Sequence, residues 1–402
     1  MNPLKKIYCR SIQICLRLAL PILPYRKPQE LTDIAQLPRV LHEKNITSVL
    51  LVTDKGIREG GLTNDLETLL HHEHIRCIVY DQTVANPTSE NVEQARSLYL
   101  QEHCQALIGF GGGSSIDCAK AVGARIVKPH QSLAKMGGVL RVHHFLPSLF
   151  AIPTTAGTGS EVTLAAVITD SSTHHKYAIT DFSLIPHYAV LDPEMTRTLP
   201  PHLTATTALD ALTHAIEAYI GRSTCKETRQ DALQAVRLIF SNLDIAYQNG
   251  NDMQARRNLL QAAYLAGNAF SKSYVGYVHA IAHSLSGKYN LAHGYTNAVL
   301  LPVVLEAYGP VIHPKLAQLA IAAGVATESD TPSVAAAALI RAIRAMNRHF
   351  GIAEHFPQLR REDISELART ADREANPLYP VPVLMDHREL EPLYERVWEE
   401  TT

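Results

Sequence analysis

Short, continuous runs of apolar residues recur through the first half of the chain, and each ends at a polar or turn-forming residue. They predict strands at 48–54, 76–81, 106–110, 149–153 and 188–192. Segments of helical periodicity separate these runs. Strands that are apolar on both faces and alternate with helices are typical of a parallel sheet covered on both sides. We therefore predict an α/β fold for the first half.

The pattern changes after Pro200 and Pro201, where helical periodicity takes over and no alternating strand pattern appears. The predicted helices are 203–220, 226–248, 252–270, 276–287, 297–307, 314–323, 333–350 and 363–372. The second half is therefore predicted to be all-α. The chain divides into an N-terminal extension (1–30), an α/β domain (31–198) and a helical domain (199–402).

The N-terminal extension mixes basic and apolar residues. Lys5, Lys6, Arg10 and Arg17 alternate with isoleucines and leucines, which predicts an amphipathic helix. The apolar stretch is too short, and too interrupted by Arg17, for a membrane span. No small-residue cleavage site follows it. Packing against a partner subunit is the favoured interpretation, and contact of residues 1–24 with a membrane surface is the alternative.

Composition narrows the class of protein. With 46% hydrophobic and 19% charged residues and a net charge of −2, the chain has the composition of a soluble globular protein. No basic stripe runs along it, which argues against nucleic acid as a partner. The six cysteines form no Cys-x-x-Cys pair, which favours a reducing, cytoplasmic location.

Acidic and histidine side chains in the helical half predict a metal site. Asp210 and His214 are four residues apart and therefore share a helical face, and His279, His283 and His293 follow about seventy residues later. Among 20 histidines, one such pair is more often structural than metal-binding. Two groups in apolar helices are harder to dismiss, because buried imidazoles need partners. One carboxylate with three imidazoles suits Fe²⁺, Zn²⁺ or Mn²⁺, but spacing leaves His283 and His293 open as the fourth ligand.

Two small-residue loops in the α/β half predict a phosphate-binding edge. Residues 109–120 read GFGGGSSIDCAK and residues 153–163 read PTTAGTGSEVT, each after a predicted strand. Neither a G-x-G-x-x-G nor a P-loop motif is present, since Ser114 takes the last glycine position. Loops at the carboxyl ends of parallel strands are where open α/β folds bind ligands. Asp54 ends the first strand, where it could bind an adenosine ribose and favour NAD, or simply cap the next helix.

Taken in order, these motifs resemble the iron-containing (group III) alcohol dehydrogenase family over roughly residues 45–385. The resemblance rests on GGGSSIDCAK at 111–120, PTTAGTGSEVT at 153–163, DALTHAIE at 210–217 and GYVHAIAH at 276–283. It implies a Rossmann-like dinucleotide-binding domain followed by a helical metal-binding domain, the dehydroquinate synthase-like arrangement. It assigns His283 to proton relay and the metal to Asp210, His214, His279 and His293. Positions that match cofactor contacts are Asp54, Asn86, Gly112, Gly113, Ser114, Thr154, Thr155, Thr163 and Lys176.

The family resemblance also implies an activity. We expect a metal-dependent, NAD-linked alcohol dehydrogenase or aldehyde reductase for a small primary alcohol or diol, with Fe²⁺ favoured over Zn²⁺ and Mn²⁺, and a homo-oligomer such as a dimer. The alternatives are a dehydroquinate synthase-like lyase that uses NAD and metal, and a non-enzymatic metal-binding scaffold. Departures from the family pattern at Ala208-Leu209, Ser284, Ala292 and Tyr295-Thr296 remove no ligand but leave substrate size open.

Overall fold

The computed structural model describes residues 1–173 and 175–399. The chain forms two compact units. One is Pro24–Leu199, and the other combines Met1–Leu23 with the chain from Pro200 onward. The first helix, α1 (Pro3–Ala19), is thus part of the helical unit. The change from one unit to the other at residue 200 coincides with the change of pattern in the sequence.

The α/β unit contains nine strands within its described residues. They are β1 Gln29–Leu31, β2 Ser48–Val52, β3 Arg76–Tyr80, β4 Ala106–Gly111, β5 Gly138–Val139, β6 Ser148–Pro153, β7 Ala165–Thr169, β8 Lys176–Thr180 and β9 Tyr188–Val190. Six strands form a sheet in the order β1-β9-β6-β4-β2-β3, in which every pair is parallel. The helices are α2 Leu37–Glu43, α3 Lys55–Glu59, α4 Asn64–His72, α5 Ser89–Gln101, α6 Gly113–Val127 and α7 Leu133–Met136. The predicted α/β fold is confirmed.

Burial on both faces explains the continuous apolar strands. Every residue of β2 is buried. Val49 and Leu51 pack in a core cluster with α2 and α4, whereas Leu50 and Val52 pack in a second cluster with α5 and α6. Because each face meets helices, both odd and even positions of the strand must be apolar.

The sequence pattern found the central strands and missed the peripheral ones. The five predicted strands correspond to β2, β3, β4, β6 and β9. The prediction did not include β1, a three-residue edge strand, or the small second sheet of order β5-β8-β7. In β7 and β8 only the alternate positions Ala166, Ile168 and Ile179 are fully buried, so the apolar run there is too weak to stand out.

The helical unit adds nine α-helices after Pro200 in the described part of the chain. They are α8 Pro201–Ile220, α9 Lys226–Gln248, α10 Met253–Ser273, α11 Tyr277–Tyr289, α12 His293–Tyr308, α13 His313–Ala322, α14 Pro332–His349, α15 Ile364–Ala375 and α16 His387–Glu395. The eight predicted helices are all present. The sequence analysis did not predict the charged helix α16, which contains Pro392. The predicted all-α second half is confirmed.

The most apolar helices lie in the interior of this unit. Helix α8 is buried almost continuously from Thr204 to Ile220. The segment His293–Ala322 is apolar and long enough to cross a membrane by length and composition, but 67% of its most apolar window is buried inside the protein. Such burial is typical of a core helix of a globular protein. His293 is the first residue of α12, which begins this buried segment.

Candidate metal centre and cofactor loops

Three helices bring the four predicted metal ligands together. Asp210 and His214 lie on α8, His279 lies on α11, and His293 is the first residue of α12. One ligand atom from each of the four lies within 4.8 Å of all the others. Asp210 Oδ1 is 3.5 Å from His293 Nε2 and 3.9 Å from His279 Nε2. The structure therefore groups His293, and not His283, with the other three.

The chemistry of these donors fits a divalent transition metal. Burial, and then the neighbouring imidazoles of His214, His293 and His283, hold the pKa of His279 well below its usual value. A neutral imidazole keeps the lone pair that a metal needs. Four nitrogen and oxygen donors of this kind can share one ion at about 2 Å from each. The residues present thus fit the metal that the sequence predicts.

Glu217 fixes the orientation of His279. Its Oε2 lies 2.6 Å from His279 Nδ1 and accepts a hydrogen bond from Gly276 N at 2.7 Å, while Oε1 accepts from Val278 N at 2.8 Å. The carboxylate therefore caps α11 and holds the proton of His279 on Nδ1, which leaves Nε2 for the metal. Burial raises the pKa of Glu217 to about 7, and the amides of Gly276 and Val278 oppose that rise.

Two glycines allow these helices to approach so closely. A Cβ on Gly276 would lie 2.6 Å from Glu217 Oε1. A Cβ on Gly294 would lie 2.4 Å from the carbonyl oxygen of Thr206, which belongs to α8. Only glycine allows the first turn of α12, and with it His293, to rest directly on the backbone beside Asp210.

Asn297 is a buried polar residue at the centre of the ligand cluster. Its Nδ2 donates to Asp210 Oδ1 at 2.7 Å and lies 3.2 Å and 3.1 Å from Nε2 of His279 and His293. The side chain is fully buried, and it lies one turn after His293 on α12. Three of the four ligand atoms therefore lie within 3.2 Å of the same nitrogen, Nδ2 of Asn297.

His283 lies beside the cluster and has its own carboxylate partner. Its Nδ1 is 2.6 Å from Glu374 Oε1, and the hydroxyl of Tyr379 donates to the same oxygen at 2.8 Å. The rings of His283 and His293 stack with centroids 5.1 Å apart. Although burial opposes it, the neighbouring His283 and Tyr379 hold the pKa of Glu374 below its usual value. Glu374 thereby orients the imidazole of His283.

The two predicted phosphate loops are neighbours at the carboxyl ends of adjacent parallel strands. β4 pairs with β6, and Thr154 N donates to Gly111 O at 3.0 Å just beyond the pair. Gly112 is the N-cap of α6, and a Cβ on Gly113 would lie 2.9 Å from a methyl carbon of Thr158 in the other loop. The first amides of α6 therefore lie beside the second loop, in an arrangement that suits a phosphate group.

A buried lysine joins the second loop to α6. Lys120 is fully buried, and its Nζ donates to the carbonyl oxygens of Thr163 and Ala165 and to Thr163 Oγ1 at 2.8–2.9 Å. Burial lowers the pKa of Lys120 to about 8, although Asp117 and Glu161 favour its charged form. The Thr163 hydroxyl is thus held by Lys120, and the cofactor contact predicted for Thr163 stays a prediction.

Three other predicted cofactor residues lie together on the α/β unit. Asn86 N donates to Ser114 Oγ at 3.3 Å, and Lys176 Nζ donates to Asn86 Oδ1 at 3.0 Å. Asn86 is exposed with a φ of 59°, and Lys176 opens β8. Asn86 thus connects Ser114, which is 28 positions away in the sequence, with Lys176, which is 90 positions away.

The remaining predicted cofactor residues differ in exposure. Thr155 is half-buried, whereas Thr154 is buried. Asp54 Oδ1 accepts a hydrogen bond from Ile57 N at 3.0 Å and caps α3. That is the alternative role that the sequence left open for Asp54. Its contact with a ribose stays a prediction.

Sequence reasoning missed Glu217, Asn297 and Glu374 as site residues. Glu217 follows His214 by three positions, and Asn297 follows His293 by four, so helical spacing was a usable signal for both. Glu374 lies 91 residues from its partner His283, and no local pattern connects them.

Comparison with known proteins identifies the family. The family model described as iron-containing alcohol dehydrogenase matches residues 29–193. A second family model, described as the C-terminal part of the Fe-containing alcohol dehydrogenase family, matches residues 204–398. The chain therefore belongs to the iron-containing alcohol dehydrogenase family and is an oxidoreductase.

Relatives and solved structures agree with this assignment. The chain is 38% identical to 1,3-propanediol dehydrogenase of Citrobacter freundii, over 81% of this chain and 85% of that protein. It is 35% identical to NAD-dependent methanol dehydrogenase of Bacillus methanolicus, over 80% and 85%. The crystal structure of a 1,3-propanediol oxidoreductase superimposes with a TM-score of 0.89 at 32% identity, covering 93% of this chain and 99% of that one. These matches support the dehydrogenase prediction and neither the lyase nor the scaffold alternative.

Proposed function

We propose that this protein is a metal-dependent, NAD-linked alcohol dehydrogenase that interconverts a small primary alcohol or diol and its aldehyde. The convergence of Asp210, His214, His279 and His293 in a chain of this family carries the proposal. The names of the propanediol and methanol dehydrogenases support the substrate class and NAD. The family favours Fe²⁺, and the ligand set also accepts Zn²⁺ or Mn²⁺.

The metal and cofactor each supply one capability that side chains lack. When bound, the ion supplies Lewis acidity that makes an alcohol hydroxyl easier to deprotonate, and the nicotinamide supplies the hydride acceptor. The chain's task is to hold both and to manage the proton. Asp210, His214, His279 and His293 would hold the ion, with His279 oriented by Glu217.

In this proposal, His283 moves the proton. Its Nδ1 faces Glu374 at 2.6 Å, and about 40% of its side chain is exposed. The proton that leaves the alcohol would reach Nε2 of His283, while Glu374 stabilises the imidazolium through Nδ1. Solvent can then take the proton from the exposed ring.

The α/β unit would bind NAD through backbone amides more than through charge. The N-terminus of α6 at Gly112–Ser114 offers unpaired N–H groups to the pyrophosphate. Asn86 and Lys176 lie next to Ser114 and add polar and cationic groups. Asp54 would favour NAD over NADP, because a carboxylate repels a 2′-phosphate.

Metal dependence is the decisive test of this function. Protein purified without oxygen should contain about one divalent ion per chain and should reduce NAD with short primary alcohols or diols. A chelated preparation should lose nearly all turnover and recover it on adding Fe²⁺. Full turnover in a verified metal-free preparation would refute the proposal.

Replacing the two candidate fourth ligands separately tests the assignment within the site. His293→Ala should lose bound metal and activity together, because His293 Nε2 is one of the four clustered donors. His283→Ala should keep the metal and lose rate by about 10²–10⁴-fold, the typical contribution of a general acid–base group. Elemental analysis alongside steady-state rates distinguishes the two. A metal-free His283→Ala protein would contradict the assignment.

A cytoplasmic location and a homo-oligomeric state are part of the proposal. All six cysteines have free thiols, which suits a reducing compartment. Fractionation of cells and analytical ultracentrifugation of the purified protein test the location and the oligomeric state respectively.

A further inference from the structure

The inner side of the first helix contacts the helical unit of the same chain through both polar and apolar residues. Lys5 Nζ pairs with Asp372 Oδ1 at 2.8 Å. Arg10 and Gln13 donate to backbone carbonyls of the segment 377–382 at 2.7–3.1 Å. Gln13 is buried in this contact. Helix α1 is therefore fixed to the helical unit by an ion pair and hydrogen bonds, and on the same side Cys9 is buried and Ile12 and Leu16 are half-buried.

The opposite side of α1 is apolar and faces solvent. At about 100° per residue, positions 4, 7, 8, 11, 14, 15 and 18 fall within one arc of about 120°. All seven are exposed. The arc carries four large aliphatic residues and a tyrosine, and one isoleucine in the turn after α1 continues it. We call these six residues the outer face: Leu4, Ile7, Tyr8, Ile14, Leu18 and Ile22, with exposed fractions of 55–84%.

This concentration of exposed apolar side chains is unusual for the molecule. Among the described residues, 17 large hydrophobic side chains are exposed, and six of them lie in the first 22 residues. Exposed apolar residues scattered singly need no explanation, whereas a contiguous stripe marks a surface that binds something. The outer face is therefore an interaction surface.

The segment that carries the outer face has an excess of basic residues, although its N-terminal amine and Lys5 are paired with Glu389 and Asp372. Residues 1–29 contain six Lys and Arg and no Asp or Glu, although the whole chain has a net charge of −2. Lys6 and Arg17 are exposed and lie about 60–80° beyond one edge of the apolar arc, on the far side of Arg10.

These features favour a negatively charged lipid surface as the occupant. Apolar residues on one side of a helix with basic residues beside them are the features of a helix that lies in the bilayer interface. A second copy of the chain is disfavoured, because a two-fold contact would bring two copies of this basic segment together. The helix is also already folded and fixed in place, so binding would not have to order it.

We propose that the outer face of α1 lies in the interfacial layer of an anionic phospholipid bilayer and holds the enzyme on a membrane surface. Leu4, Ile7, Ile14, Leu18 and Ile22 enter the acyl boundary. Lys6 and Arg17 contact the headgroups. The cytoplasmic leaflet carries the anionic lipids that such a surface needs, which agrees with the proposed location.

Vesicle flotation of the full chain tests the proposal. The protein should float with phosphatidylcholine vesicles that contain phosphatidylserine, and much less with phosphatidylcholine alone. The double variant Ile7→Ser, Leu18→Ser should lose at least about tenfold in partitioning, because two large apolar side chains no longer leave water. Phe145→Ser is the matched control, since Phe145 is 96% exposed but lies outside α1. It should float like the unsubstituted chain.

A charge variant and two controls complete the experiment. Lys6→Gln, Arg17→Gln should weaken binding to the phosphatidylserine vesicles and remove most of its salt dependence. Thermal unfolding and turnover should be unchanged in all variants, since none of these side chains belongs to the catalytic site. The membrane result is therefore independent of the proposed activity.

Three results would overturn the proposal. The first is an unsubstituted chain that fails to float with either vesicle. The second is a double variant that floats as well as the unsubstituted chain. The third is an oligomer that the double variant dissociates while neither protein floats, which would assign the outer face to contact between copies.

Discussion

Glu217 supports the metal site in three ways. One carboxylate caps α11, fixes the tautomer of His279 and occupies the space that Gly276 leaves free. Its position on α8, one turn from His214, places the metal ligand and its supporting carboxylate on the same element. Glu217 thus supports the ligand cluster without being one of the four ligands.

Glu217→Gln should weaken metal binding by about 10–100-fold, the usual effect of removing such a supporting carboxylate. The glutamine NH₂ group would face the N–H donors of Gly276, Val278 or His279, so at least one hydrogen bond is lost. Competition with a metal chelator gives the affinity. Glu366→Gln is the control, because the Glu366 side chain is 71% exposed and pairs with Lys288, away from the ligand cluster. Equal affinities for the two variants would contradict this role of Glu217.

At this scale, the residue types and their spacing predicted the metal cluster but left the fourth ligand open, and the family resemblance assigned it to His293. The i, i+4 pair at 210 and 214 and the histidines at 279 and 293 meet as expected. Spacing alone could not separate His283 from His293, because both follow His279 within fifteen residues. The choice depends on where α12 begins, and Gly294 sets that start by allowing contact with the backbone at Thr206.

Among the elements, strand β9 depends on a neutral histidine at its start. His187 Nδ1 accepts a hydrogen bond from Leu149 N at 3.1 Å, and His187 N donates to Leu149 O at 2.8 Å. Burial, and then the charges of Arg26 and Lys44, lower the pKa of His187 to about 4. Protonation would put a donor where Leu149 N needs an acceptor.

The pH dependence of stability follows from this contact. Because the folded pKa lies below the unfolded value, the unfolded chain binds more protons between about pH 6.5 and pH 4. The contribution of His187 is therefore complete above about pH 6.5 and is lost as the pH falls toward 4, to a limit of about 3 kcal/mol. Urea unfolding of the unsubstituted chain and of His187→Asn at several pH values measures it. The two should lose stability in parallel if His187 is not responsible.

Element prediction succeeded where burial is complete and failed where it is partial. The strands β2, β4 and β6 are buried on both faces, so their sequences are apolar apart from the serine that begins β2 and β6. The small sheet of β5, β7 and β8 has exposed or half-buried residues at many positions, which weakens its pattern. Helix α16 is similarly masked by its charged residues, although its Asp386–Glu389 capping box was readable in the sequence.

On the scale of the whole molecule, the metal ligands belong to one unit only. Asp210, His214, His279 and His293 all lie in the helical unit, on α8, α11 and α12. An ion bound there connects three helices that are far apart in sequence. Because the unfolded chain lacks this arrangement, metal binding must stabilise the folded helical unit.

Chelation should therefore lower the Tm of the protein. At a metal concentration a thousandfold above Kd the stabilisation is about 4 kcal/mol, which corresponds to a shift of roughly 10 °C. Differential scanning calorimetry with and without chelator measures the shift. His283→Ala should show the same shift as the unsubstituted chain, and His293→Ala should show none. A chelator-independent Tm in the unsubstituted chain would show that the cluster does not bind the ion tightly.

The joining of three helices by one ion has a consequence for the amount of protein in a cell. Chains made during iron shortage would keep the sheet unit intact but hold α8, α11 and α12 together less firmly. Proteases degrade the opened fraction, and a loss of one or two kilocalories per mole in stability can change abundance several-fold. We expect the steady-state level of this protein, and not only its turnover number, to rise and fall with iron supply.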